Sequence, residues 1–257
     1  MEDLQLMRQK LKKLKLSEIA TALEEKLQQA GSQKWSYYRF LDMLVTDELD
    51  AKLNNQLIKR LSRSHLDPNK TLETFDFSFN EKIQAAFVKD LGRCDFVLQK
   101  QNIFILGPSG VGKSHLAQAL GHEACRRGFE VIFFGMRQLF DWLQHGKGDG
   151  SYQKKIGCVI KTSLIILDDF CLESFNETEQ SELYKIISEK YEKSSLIITS
   201  NRDFNEWGGC FPNPILAMAS LDRLVHKGIQ IVIEGNSYRL EEFKKRPCMK
   251  LKKIGEK

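Results

Sequence analysis

One stretch constrains this chain more than any other: Gly107-Pro108-Ser109-Gly110-Val111-Gly112-Lys113-Ser114. It follows the apolar run Asn102-Ile103-Phe104-Ile105-Leu106 and opens the periodic segment His115-Leu116-Ala117-Gln118-Ala119-Leu120. Strand, glycine-rich loop and helix in that order form the setting of a phosphate-binding loop. Glycines let backbone N–H groups converge on an anion with no Cβ in the way. The helix that follows aims the positive end of its dipole at the same point. Lys113 supplies a mobile point charge for the outer phosphates. Ser114 offers a hydroxyl to Mg²⁺, which keeps most of its waters and takes few protein ligands.

A loop of this kind requires a parallel sheet with crossover helices, and the sequence from about residue 81 alternates accordingly. Expected strands are Ile103–Leu106, Val131–Phe134, Leu164–Leu167, Leu196–Thr199 and Ile229–Ile233. Expected helices run from Ser114 to about Gly128, from Met136 to about Leu143 and from Thr178 to Tyr191. Gly146-Lys147-Gly148-Asp149-Gly150 reads as a flexible break. The continuous apolar runs Leu164–Leu167 and Leu196–Ile198 are what strands covered on both faces need. The fold class is therefore α/β, a P-loop core with a parallel sheet flanked by helices.

The chemistry gathers at the strand ends. Leu164–Leu167 runs into Asp168-Asp169, 55 positions after Lys113, the Walker B arrangement. Asp168 would hold Mg²⁺ through its water shell. Asp169 would polarise an attacking water as general base. Leu196-Ile197-Ile198 ends in Thr199-Ser200-Asn201, where Asn201 fits the residue that senses the γ-phosphate, with Thr199 in reserve. Leu221-Asp222-Arg223-Leu224 follows Pro212-Asn213-Pro214 on an expected helix. Arg223 reads equally as a surface arginine and as one reaching a neighbouring copy's site, where such arginines are worth ~10³–10⁵ in rate.

The first 64 residues hold no catalytic motif. Leu4, Met7, Leu11 and Leu14 recur at helical spacing, interleaved with Arg8, Lys10, Lys12, Lys13 and Lys15. Ser17 is the expected N-cap of a second helix carrying Ile19, Leu23 and Leu27 and ended by Gly31. A third helix is expected from Ser36 through Val45, and another from about Thr46 to Arg63. Then Asp67-Pro68-Asn69-Lys70-Thr71 is turn-like, and Phe75, Phe77 and Phe79 alternate with polar residues. That stretch reads as a linker lying over the next domain; docking to a partner and base stacking remain alternatives for its phenylalanines. Expected divisions are a helical module over 1–64, a linker over 65–80, an ATPase domain over 81–240 and a basic tail over 241–257.

The 257 residues are 42% hydrophobic and 28% charged, an ordinary balance for a chain with a sizeable core. No apolar run approaches the length of a membrane span, and Met1-Glu2-Asp3-Leu4 is no secretory leader, so a cytoplasmic location is expected. Cys94, Cys125, Cys158, Cys171, Cys210 and Cys248 are scattered without metal-site spacing, which favours reduced thiols. Net charge is +5, of which residues 241–257 carry +4. A basic tail suits nucleic acid and also suits simple solubility.

The ordered set of motifs resembles the IstB-like transposition helper ATPases, a branch of the AAA+ proteins close to the DnaC helicase loaders and DnaA. The resemblance rests on Gly107–Ser114 with His115-Leu116-Ala117, on Leu164–Phe170, and on Ile198-Thr199-Ser200-Asn201-Arg202. It continues through Leu221–His226 and Ser237-Tyr238-Arg239-Leu240, and upstream through Lys70–Phe77. It implies an AAA+ ATPase that uses ATP and Mg²⁺ and assembles as a homo-oligomeric ring or filament on duplex DNA. Contacts would be mainly to the DNA backbone, with no membrane involved, and a partner transposase would be recruited or stimulated. The implied nucleotide-binding set is Gly107, Pro108, Ser109, Gly110, Val111, Gly112, Lys113, Ser114 and His115; the metal set is Ser114 and Asp168; the catalytic set is Asp169, Asn201 as sensor and Arg223 as arginine finger. Only 34 positions follow Arg223, too few for the helical lid of larger relatives, so Arg239 and Arg246 stay unassigned as lid arginines. A DnaC-like replicative helicase loader shares every ATPase motif and is the alternative. A small-molecule kinase would need an arginine-rich lid segment that the sequence lacks. A non-hydrolysing scaffold fits poorly with intact Lys113, Asp168 and Asp169.

Overall fold

In the computed structural model, residues 2–80 and 83–245 are described. The chain forms two compact units, one up to Lys59 and one from Arg60 onward. The first is helical: α1 (Glu2–Lys13), α2 (Ser17–Ser32) and the leading part of α3 (Tyr37–Ser64). Its small core joins Ile19, Leu23 and Leu44 to Leu4, Leu11, Leu16 and Phe40. Met7, Leu14 and Leu27, expected on apolar stripes, are exposed, as are Leu49 and Leu53.

Two local expectations fail here for physical reasons. The two helices anticipated over 36–63 are one, because nothing between Val45 and Asp47 interrupts hydrogen bonding: the stretch has no glycine or proline. Ser17 does not cap α2; the cap position is Leu16, which offers no side-chain acceptor. Instead the Glu48 carboxylate, from α3, accepts the N–H groups of Glu18 (2.9 Å) and Ile19 (3.1 Å). It does the work of an N-cap and also sits at the positive end of the α2 dipole.

The second unit holds a five-stranded sheet: β1 (Ile103–Leu106), β2 (Val131–Gly135), β3 (Leu164–Asp168), β4 (Ser195–Ser200) and β5 (Ile229–Val232). The order is β2-β3-β4-β1-β5 and every pairing is parallel. Short α4 (Ala85–Leu91) and α5 (Asp95–Leu98) precede β1, and α6 (Lys113–Arg126) follows the glycine-rich loop. Next come α7 (Met136–Gly148), α8 (Tyr152–Lys161), α9 (Glu177–Lys190), α10 (Phe204–Trp207), α11 (Pro214–Val225) and α12 (Tyr238–Lys245). Helices cover both sheet faces, so β1 and β4 are buried at every position. One side of the core packs Phe104, Phe170, Phe175 and Trp207 among the aliphatic residues of β2, β3, α7 and α9.

The anticipated break at 146–150 begins later than expected, since α7 continues through Gly148. A Cβ on Gly146 would lie 2.9 Å from Lys155 Cδ and 3.1 Å from Tyr152 Cα. The glycine is thus a site of close helix approach, letting the end of α7 meet α8. α11 starts as its sequence implies: Asn213 Oδ1 accepts from the N–H groups of Ile215 and Leu216, and Pro214 occupies the first turn. Cys94, Cys125, Cys158, Cys171 and Cys210 are free thiols. Arg246, Cys248 and most of the basic tail lie outside the described residues.

Candidate functional site

Strands β1, β3 and β4 are neighbours, so their carboxyl ends deliver Gly107–Ser114, Asp168-Asp169 and Asn201 to one place. That is where open parallel sheets bind ligands. A cavity of about 540 Å³ opens there, lined by Ser109–His115, Asp168, Asp169 and Asn201. Its size falls within the ~300–1,000 Å³ usual for small-molecule sites.

The loop takes its shape from glycines that no other residue replaces. Gly107, Gly110 and Gly112 have φ of 148°, 83° and 97°. A Cβ on Gly107 would stand 2.1 Å from the Ile233 carbonyl oxygen, and one on Gly110 2.1 Å from Ser237 Oγ. Gly107 and Pro108 do not line the cavity but brace the loop. The Gly107 N–H donates to the Ser200 carbonyl (3.2 Å), and the Pro108 carbonyl accepts from Lys113 Nζ (2.7 Å).

Lys113 is buried, and its ammonium also donates to Asn201 Oδ1 at 2.5 Å. Burial pulls its proton affinity below the ordinary lysine value, while Asp169 and Asp168 oppose that and Arg239 adds to it. Asp169 moves the other way: burial first, then the Asp168 charge, raises its carboxyl above the usual range. A raised carboxylate is the direction a general base requires. Asp169 also has φ of 57°, which aims it away from the strand line.

Thr199, the reserve sensor, has a different place. It is buried, donates its hydroxyl to the Asp168 carboxylate and accepts the Asp169 N–H at 3.1 Å. One side chain thereby holds both acidic residues, and Asn201 is left to face the cavity. Ser200 points inward, donating to the Phe170 carbonyl (2.8 Å) and accepting from Trp207 Nε1 (3.2 Å).

His115 borders the cavity but its ring turns toward the incoming chain. Nε2 donates to the Thr71 carbonyl at 3.1 Å and lies 3.3 Å from Thr74 Oγ1. Arg223 is not brought to the site. Its Nη1 donates to the Ala219 carbonyl (3.0 Å), and its guanidinium lies over Tyr184, 5.2 Å from the ring centre. It lines a crevice with Asn102 and Leu196, at the amino ends of β1 and β4. A four-residue strand, ~13 Å at ~3.3 Å per residue, separates that end of the sheet from the cavity.

One residue left unassigned by sequence reaches the cavity: Arg239, in the first turn of α12. The Tyr238 N–H donates to the Gly110 carbonyl at 2.9 Å, pinning the start of α12 to the loop. The charge of Arg239 is felt by both Lys113 and Asp169, so Arg239 adds positive charge to the cavity. The only sequence signal for it was Ser237-Tyr238-Arg239 itself; the backbone bond that places it is tertiary.

The sequence profile of the IstB-like ATP binding proteins matches residues 9–246. The chain belongs to this family. As an IstB-like protein it is 35% identical to an insertion-sequence IS21 ATP-binding protein of Pseudomonas aeruginosa, over 91% of this chain and 89% of that one. It is 36% identical to an insertion-sequence ATP-binding protein of Mycobacterium tuberculosis, over 91% and 93%. Among solved structures, AMPPCP-bound DnaA from Aquifex aeolicus superposes with a TM-score of 0.56 at 27% identity, covering 70% of this chain and 55% of that DnaA. The DnaC helicase loader superposes with a TM-score of 0.54 at 22% identity, covering 65% and 97%, a likeness of fold. The IstB-like chain thus has the AAA+ α/β core anticipated from its motifs. Among the described residues no helix is long and apolar enough to cross a membrane.

Proposed function

We propose that this IstB-like protein hydrolyses ATP and uses the nucleotide to hold copies of itself on duplex DNA, where it recruits or stimulates a transposase. The observation that carries the catalytic half is the convergence of Lys113, Asp168, Asp169, Asn201 and Arg239 on one cavity under a glycine-rich loop. AMPPCP in the DnaA relative supports a triphosphate as ligand. The insertion-sequence ATP-binding relatives support the mobile-element setting.

The loop N–H groups and the α6 N-terminus receive the phosphates. Lys113 exchanges its bonds to Asn201 and Pro108 for phosphate oxygens, which frees Asn201 for the lytic water. Asp169 takes the proton of that water. Ser114 and Asp168 border the same cavity, and Thr199 fixes the Asp168 carboxylate. Among the described residues no cluster of three or more His, Cys, Asp or Glu side chains is placed to hold a metal ion. A hydroxyl and one carboxylate suit Mg²⁺, which relies on phosphate and water for its other ligands; when bound it would offset phosphate charge. Arg223 stands too far from its own cavity to serve it, so its catalytic part is played in a neighbouring copy's site.

DNA contacts come from Arg8, Lys10, Lys12 and Lys13 in α1, from the exposed Lys154 in α8, and from the basic tail. They meet phosphates rather than base edges. The deciding experiment is ATP turnover with and without duplex DNA, for the native chain, Lys113→Ala and Arg223→Ala. Native turnover rises with DNA, Lys113→Ala binds no nucleotide, and Arg223→Ala binds nucleotide but loses DNA-stimulated turnover. Normal turnover by Arg223→Ala sinks the neighbouring-copy role. Turnover indifferent to DNA sinks the assembly reading.

A further inference from the structure

The segment 66–80 follows the last turn of α3 and has no regular secondary structure of its own. It is held by side chains of α6 spaced one per turn. The Asp67 N–H donates to Gln118 Oε1 at 2.8 Å, and the Asp67 carbonyl accepts from His122 Nε2 at 2.9 Å. His115 binds the Thr71 carbonyl, and Arg126 meets Glu73 at 2.6 Å. Positions 115, 118, 122 and 126 form one helix face. Leu66 packs over the bare Cα of Gly121, where a Cβ would lie 3.0 Å from Leu66 Cδ2.

The other side of the same segment is a wall of the nucleotide cavity. Thr74, Phe75, Phe79 and Asn80 line it. Phe75 sits against the loop itself, with its Cε2 3.2 Å from where a Cβ on Gly112 would be. Phe79 meets Tyr238 edge-on at 4.9 Å, and Asn80 Nδ2 donates to the Glu234 carbonyl at 2.6 Å. Those two contacts close the wall onto the chain that carries Arg239.

We propose that 66–80 is a strap that closes over the bound nucleotide, latched to α6 by Gln118, His122 and His115, so that nucleotide occupancy sets whether the strap is open or closed. The proposal rests on reading the cavity as a nucleotide site. The strap suits the role because its amides are secured mainly by side chains: Asp67 by Gln118, Asn69 by Asp67 Oδ1, Thr71 by Thr74 Oγ1 and Ser78 by Asp76 Oδ1. Segments without a backbone ladder open at low cost. A ligand that binds only the closed form suppresses opening by the factor 1 + [L]/Kd, about 100-fold at 100 Kd.

Hydrogen exchange of the full-length protein, with and without a non-hydrolysable ATP analogue and Mg²⁺, tests this. Exchange over 66–80, faster than that of β2 and β3 without nucleotide because the segment opens locally, slows by up to about 100-fold at 100 Kd. Gln118→Met/His122→Met, whose positions lie outside the cavity lining, speeds strap exchange without nucleotide. It also quickens dissociation of a fluorescent ATP analogue by about 10-fold or more, corresponding to ~1.4 kcal/mol or more. A native circular-dichroism spectrum certifies the fold of the variant. Strap exchange unaffected by nucleotide that is demonstrably bound overturns the strap alone, as does native dissociation from a variant with a loosened strap. Failure of the native chain to bind the fluorescent analogue overturns the nucleotide-site reading and the strap with it.

Discussion

Thr199→Val isolates the side chain that orders the acidic turn. The two residues have nearly the same shape, so the core around β4 keeps its volume and only the hydroxyl is lost. Two hydrogen bonds go with it: the one donated to the Asp168 carboxylate and the one accepted from the Asp169 N–H at 3.1 Å. A hydrogen bond to a charged group is worth ~1.5–3 kcal/mol, and a donor left unpaired costs ~1–3 kcal/mol. The Asp168 carboxylate still borders the cavity and regains some hydration, so the lower ends apply, giving about 2.5 kcal/mol in all. For a unit of this size that lowers Tm by roughly 5–10 °C. Thr199→Ser, which keeps both bonds and loses one buried methyl, costs only ~1 kcal/mol. Thermal unfolding of the three proteins, together with ATP turnover, makes the comparison. The valine variant is the less stable and turns over far more slowly, because Asp168 and Asp169 lose their common anchor. Equal stability and turnover for the valine and serine variants would refute the argument that the hydroxyl holds the turn.

Arg239→Ala weakens nucleotide binding by on the order of 10-fold, the ~1.4 kcal/mol scale of one charge-assisted contact; fluorescence titration with an ATP analogue reads it, and unchanged affinity removes Arg239 from the site. Lys190 is wholly buried, donates to the Val159 and Thr162 carbonyls, and has its proton affinity pulled down to about 7 by burial. The unfolded chain keeps that proton up to ~10.4 and the folded chain releases it near 7, so folding is favoured increasingly as pH rises between them. Chemical denaturation shows about 2 kcal/mol more stability at pH 9 than at pH 7 from this group, a gain that Lys190→Met removes; an equal gain in that variant assigns the effect elsewhere. Duplex DNA affinity falls linearly on a log–log plot against salt, and Lys154→Ala reduces the slope by roughly 0.9 through one lost phosphate contact. An unaltered slope would place the DNA on another face.

The parts of the site that sequence made plain are those whose chemistry is local. A glycine-rich turn between a strand and a helix, and a strand ending in two carboxylates, are each complete within a few residues. Their meeting follows from parallel strands, since such strands present their carboxyl ends on one side. Asn201 was legible for the same reason, as the polar end of the strand that pairs with β1.

What remained hidden depended on partners far apart in the chain. Nothing near Ser17 indicated that Glu48 would cap α2, and nothing near Thr199 that its hydroxyl would bond to Asp168. Gly146 looked like a break until Tyr152 and Lys155 were seen against it. Arg239 needed the bond from Tyr238 to Gly110, and the strap needed one whole face of α6. Residue order alone specifies which groups lie on the same turn or strand end, because backbone geometry has a fixed period. Which distant groups then touch is decided by packing, where burial obliges each polar atom to find whatever partner the folded chain brings near.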